Sequence, residues 1–227
     1  MRVEKGKTKL IVDHLGRDLA FIDPVYGPDK LGTIKQQIQE EGLQAATIAE
    51  TISLIHGALK SKSQHSIDLI YSVSHIFLLG DTGMLYVPQE GIYIQDSPIS
   101  KFGFIQMDQS ELEAKITEGD PSVRYIQRSS GDFEFYGGSD GKSALELSEN
   151  SLAIALVGEE GAYKLAQIVQ DHGVRVSVED GFEYSTSSGP HLTQLHIDSY
   201  RGGKVDSISL SSAVGFCDES YLFGVQK

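Results

Sequence analysis

Residues 31–59 read LGTIKQQIQEEGLQAATIAETISLIHGAL. Within them Leu31, Ile34, Ile38, Glu41, Ala45, Ile48, Ile52, Ile55 and Leu59 follow one another at alternating steps of three and four, and only Glu41 among these nine is polar. Such spacing keeps one side of an α-helix apolar and requires that side to be buried. It predicts a long helix over 31–60, opened by Pro28 and Asp29 or by a Thr33 cap and closed by Ser61-Lys62-Ser63. Gly42 beside Glu41 predicts a kink, or a break between two collinear helices.

The flanks of the stripe say what kind of partner it meets. With Leu31 as position a, the e and g sites include Lys35, Gln37, Gly42, Gln44, Ala49, Thr51, His56 and Ala58. A free coiled coil carries paired charges there. Small, mostly uncharged flanks suit a helix seated broadly on a sheet.

Strands are expected on both sides of it. Lys9–Asp13 and Asp18–Asp23 read as a hairpin turning through His14-Leu15-Gly16-Arg17, followed by a Pro- and Gly-bearing loop to Lys30. From Ile67 to Leu79 apolar residues alternate, which predicts strand, with a helix over Ser66–Ser74 as the alternative. Gly80-Asp81-Thr82-Gly83 and Pro88-Gln89-Glu90-Gly91 then read as turns dividing short apolar runs into an antiparallel meander. The order β-β-α-β-β-β makes the chain an α+β protein whose long helix lies across a meander. That order is similar to profilin-like and longin-like domains, in topology alone.

Asp96-Ser97-Pro98 marks an expected boundary between residues 1–98 and a second α+β region, 99–227, which forms its own subdomain or completes the first core. In that region Asp108-Gln109-Ser110-Glu111 is a capping box before a helix to Thr117. Strands are expected at Val123–Gln127, Phe133–Tyr136, Leu152–Val157, Val174–Val178, Leu192–Asp198, Val205–Leu210 and Tyr221–Val225. Short helices are expected at Ser143–Leu147 and Ala162–Gln170.

Composition narrows the partners. A formal charge of −13 repels phosphate backbones and anionic membranes. The basic group Arg2, Lys5, Lys7 and Lys9 reads as a solvated terminus rather than a nucleic-acid arm. The longest apolar runs are far shorter than the roughly 20 residues of a membrane span. With no apolar segment after the charged N-terminus, the expected location is cytoplasmic. The lone Cys217 cannot form an internal disulfide or a CxxC site.

Few residues point to chemistry. Gly158-Glu159-Glu160-Gly161 is expected between a strand and a helix, where phosphate loops sit, so Gly158 and Gly161 are candidate cofactor-binding residues. Glu159 and Glu160 would repel a phosphate, however, and complement a helix N-terminus instead. His191, His196 and Asp198, with Asp206 as a further donor, have the residue types of a Zn²⁺ or Fe²⁺ set. Cys217 lies before Asp218 and Glu219, which would raise its pKa and leave it inert. Ser211 and Ser212 lack a nucleophile-elbow motif. His56 and His75 read as core or boundary residues, and Asp81 and Asp96 as turn stabilisers. The expected function is a non-catalytic interaction or regulatory module that needs no cofactor and binds a protein partner or itself. The alternative is a metal-dependent hydrolase using His191, His196 and Asp198.

Overall fold

A computed structural model describes residues 2–4, 8–101, 104–127, 134–137, 141–179, 191–198, 207–213 and 220–227. The chain opens with β1 (Arg2–Glu4), the hairpin β2 (Thr8–His14) and β3 (Arg17–Asp23), and β4 (Tyr26–Asp29). Leu15 and Gly16 form the two-residue turn, both at positive φ (52° and 72°), which matches the twist of a tight hairpin. Then come α1 (Leu31–Glu40), β5 (Gln44–Ala45), α2 (Ile48–Lys60) and α3 (Gln64–Val73). Strands β6 (Phe77–Val87), β7 (Gly91–Asp96), β8 (Ile99–Lys101) and β9 (Phe104–Gln106) follow. After α4 (Gln109–Thr117) come β10 (Val123–Gln127), β11 (Glu134–Gly137), α5 (Gly141–Glu149) and α6 (Ser151–His172). The chain closes with β12 (Arg175–Glu179), β13 (His191–Asp198), β14 (Ser207–Ala213), β15 (Ser220–Leu222) and β16 (Gly224–Gln226).

The α+β class stands, but the expected long helix is two helices. Glu41 ends α1, Gly42 takes φ 72°, and β5 intervenes before α2. A capping box starts α2: the amide of Glu50 donates to Thr47 Oγ1 (3.2 Å) and the amide of Thr47 donates to Glu50 Oε2 (2.8 Å). Thr47-Ile48-Ala49-Glu50 carries that signal in the sequence itself. The break sends the two halves of the stripe to different places. Leu31, Ile34, Ile38 and Ala45 pack with Leu79, Ile105 and Leu222. Ile48, Ile52 and Ile55 join the main core beside Leu10, Phe21, Leu156 and Phe223.

Three local expectations are corrected. Residues 64–73 are helix, the alternative reading, because Leu69 and Val73 turn inward while Ile67 and Tyr71 stay exposed. Gly80-Asp81-Thr82-Gly83 is no turn but the buried middle of β6. Leu152–Val157 is helix, not strand; α6 runs on both sides of Gly158, whose φ 74° and ψ 168° interrupt it.

Among the described residues the sheets interleave early and late strands. One runs β1-β2-β3-β16-β5. The largest runs β10-β7-β6-β13-β14-β12-β11, with β15 joining β6 to β4, and β8-β9 is a separate ribbon. No helix among the described residues is long and apolar enough to cross a membrane.

Candidate functional site

A cleft of about 720 Å³ opens between α1, β5 and the segment leading from β7 into β8. Helix α1 makes one wall because its periodicity has two sides. Leu31, Ile34 and Ile38 are buried, so Gly32, Lys35, Gln36 and Gln39 face outward along the cleft. Leu43, Gln44 and Ala45 extend that wall, and Ser97, Pro98, Ile99 and Ser100 form the other.

Lys35 and Asp81 form the floor. Lys35 Nζ donates to Asp81 Oδ1 at 2.7 Å and to the Pro98 carbonyl at 3.1 Å, tying the helix to the opposite wall. Burial pushes the Asp81 carboxyl up from the ordinary Asp range, opposed by Lys35 and by a hydrogen bond from Ser97. The segment around Asp81 is held on both sides. Its amide donates to the Ala46 carbonyl at 2.8 Å, and the Ser97 amide donates to the Asp81 carbonyl at 2.7 Å. The cleft thus offers neutral amides and hydroxyls over an internally compensated ion pair. The acid and the amine bind each other across the cleft floor.

A second polar group supports this wall from behind. Arg124 clamps Asp96 with both guanidinium arms, at 2.6 and 3.0 Å, and Thr82 Oγ1 donates to Asp96 at 2.8 Å. The same arginine donates to the carbonyls of Ala155 and Leu156, the last turn of α6 before Gly158. A cation there also complements the helix C-terminal dipole. Asp96 is therefore part of an ion-pair network, a role beyond the expected turn.

A third polar cluster lies beneath the β2–β3 turn. Ser53 Oγ sits 2.8 Å from His14 Nδ1 and accepts from Lys164 Nζ at 2.9 Å. Lys164 also donates to the Asp13 carbonyl at 3.0 Å and pairs with Glu160, which accepts from the Leu15 amide. Desolvation holds the His14 pKa below its usual value. Ser53 is only 2% exposed, and Lys164 is held by its pairing with Glu160. The cluster pins the hairpin to α2 and α6.

The residues expected to carry chemistry fall in separate places. Gly158 and Gly161 stand at the α6 break, where a Cβ on Gly161 would lie 2.7 Å from Val157 Cβ. The backbones of His191, His196 and Asp198 lie in β13, with His191 opposite Tyr86, His196 opposite Ser211 and Asp198 opposite Ser209. The side chains of those three, and Asp206 and Cys217 entirely, lie outside the described residues. No three of the His, Cys, Asp or Glu residues that are described gather as a metal site. His56 is buried between α2 and α6. His75 is exposed and stacks on Tyr71, with ring centres 4.4 Å apart. Sequence reading missed the cleft residues because Lys35, Gln36 and Gln39 look like any solvated helix face.

The comparisons with known proteins concern the fold. No family model and no curated protein matches the chain. Its backbone is similar to a solved structure from work on the accommodation of massive sequence variation in Nanoarchaeota by the C-type lectin fold. The TM-score is 0.57 and the identity 14%, over 88% of this chain and 95% of that one. At that identity the likeness shows the fold: the chain has the α+β architecture of the C-type lectin fold. This takes the place of the profilin-like and longin-like order read from the sequence.

Proposed function

We propose that this protein is a non-catalytic interaction module that takes its partner in the cleft between α1 and β8. The cleft's chemistry carries the reading: three glutamines and two serines, Gln36, Gln39, Gln44, Ser97 and Ser100, surround an ion pair whose charges are already matched. A cleft of this volume suits a small ligand or a short segment of a larger one. Recognition needs such convergent neutral donors and acceptors, whereas acid–base catalysis needs a group free to exchange its proton. In this reading residues 99–227 complete the core begun by residues 1–98, which the pairing of β3 with β16 and of β6 with β13 supports.

The test uses a photo-crosslinking residue at Gln39 in the cleft and, as a control, at the exposed Asp171 on α6. In extracts of the cells that make the protein, defined adducts should form from position 39 and not from position 171. Equal labelling at both positions, or none at 39, overturns the reading.

A further inference from the structure

Among the described residues β8 and β9 pair only with each other, so the outer edge of β8 carries no further strand, and the register says which backbone groups point there. Ile99 pairs with Gln106, Ser100 with Ile105, and Lys101 with Phe104. Only two residues separate Lys101 from Phe104, so those two exchange hydrogen bonds with each other. Antiparallel pairs alternate between bonded and non-bonded. Ser100 and Ile105 are therefore a non-bonded pair, and the N–H and C=O of Ser100 point away from β9. The Pro98 carbonyl, two residues earlier on the same edge, is the one that Lys35 takes across the cleft. The outer edge of β8 thus faces α1, with Ser100 in the cleft lining.

Two further observations mark this edge as incomplete. The Ser100 hydroxyl is buried without a hydrogen-bond partner. A buried hydroxyl left unsatisfied is costly, and a ligand that pairs with it removes that cost. Beside it Ile99 is 63% exposed, the most exposed of the large apolar residues described. Charge selects among peptides. The chain carries −13, and Glu40 and Glu41 stand at the C-terminal end of α1, where the helix dipole is also negative.

We propose that the cleft binds an extended peptide segment bearing Lys or Arg, which adds as a third strand to the outer edge of β8. Resting on the interaction-module reading, the proposal names its partner class. The peptide backbone pairs with the N–H and C=O of Ser100, and a peptide donor or acceptor satisfies its hydroxyl. One apolar peptide side chain covers Ile99. Gln36 and Gln39 meet the peptide's other face, and flanking cations approach Glu40 and Glu41. An edge strand offers this mode of recognition wherever its outward groups are reachable.

The experiment selects linear twelve-residue peptides from a random phage-displayed library against the whole chain, then measures each as a synthetic peptide. Enriched peptides should be net positive and bind with affinities that Ser100→Pro weakens at least tenfold. Proline removes the outward N–H but breaks no bond to β9, and edge strands tolerate it. Ser100→Ala removes only the hydroxyl and should weaken binding less than Ser100→Pro does. A second readout needs no variant: amide hydrogen exchange at Ser100 should slow when peptide is bound. Failure to enrich any peptide, equal binding to Ser100→Pro, or unchanged exchange at Ser100 overturns the proposal. So does binding of neutral oligosaccharides without binding of peptides. Specific adducts at position 39 alongside any of those results would leave the interaction module standing and remove only the peptide.

Discussion

Two segments of this chain look alike in sequence and behave oppositely in the fold. Gly80-Asp81-Thr82-Gly83 and Gly158-Glu159-Glu160-Gly161 both read as turns between apolar runs. The first is the centre of an eleven-residue strand. Its glycines make room: a Cβ on Gly80 would stand 2.7 Å from the backbone nitrogen of Ile48 and closer still to its side chain, and one on Gly83 would stand 2.7 Å from Met107 Sδ. The second segment interrupts a helix. Gly158 has open space around it and is there for its backbone angles, in a region that is essentially glycine-only. A glycine in a sequence thus carries two different demands, absence of volume or freedom of rotation, and spacing alone does not separate them.

Substitutions break the comparison in order of size. Gly80→Val should be the most damaging, because it drives a side chain into the first turn of α2. The expected loss is about 3 kcal/mol or more, the upper end of core overpacking, read from urea denaturation. Trimming Ile48 to Ala in the same chain should recover only part of it, since the backbone nitrogen remains in the way. Gly158→Ala should cost about 2 kcal/mol by strain alone, and no trimming of neighbours should recover any of it. The start of α2 packs against the first segment, and there Thr47→Ala removes one arm of the capping box and should cost about 1 kcal/mol.

A pH series sharpens the comparison on the α6 side. His56 faces the second half of α6, and burial, with Lys60 nearby, lowers its pKa to about 4. The unfolded chain binds a proton at this residue near pH 6.5, while the folded chain resists it until about pH 4. Its contribution therefore leaves stability flat above pH 6.5 and reduces it as the pH falls from there toward 4. Melting temperatures measured across that window should fall less steeply for His56→Gln than for the native chain. Equal slopes would show that His56 is not the group responsible.

Much of the architecture was legible, and for identifiable reasons. The β2–β3 hairpin follows from two short β-rich runs around a Leu-Gly turn, and α4 from Asp108, whose side chain accepts from the Glu111 amide at 3.1 Å. Strands β10 and β13 are found where their apolar residues placed them. Residues 64–73 and 152–157 were misread because short apolar runs fit a strand and a buried helix equally well. The cleft was not legible at all. Gln36 and Gln39 differ from solvent-facing residues only in what stands opposite them, and Ser97–Ser100 reach them from some sixty residues later in the chain.

By itself, the sequence determined that residues 31–59 bury one face, that the chain is α+β, and that Glu41–Gly42 interrupts the helix. These follow from side-chain periodicity and backbone freedom, which are local. The tertiary structure alone decided that the two halves of the stripe enter different parts of the core, that Gly80 is a strand glycine, and that Lys35 meets Asp81 across a cleft. Those outcomes depend on which distant segments approach, and that is settled by packing the whole chain at once.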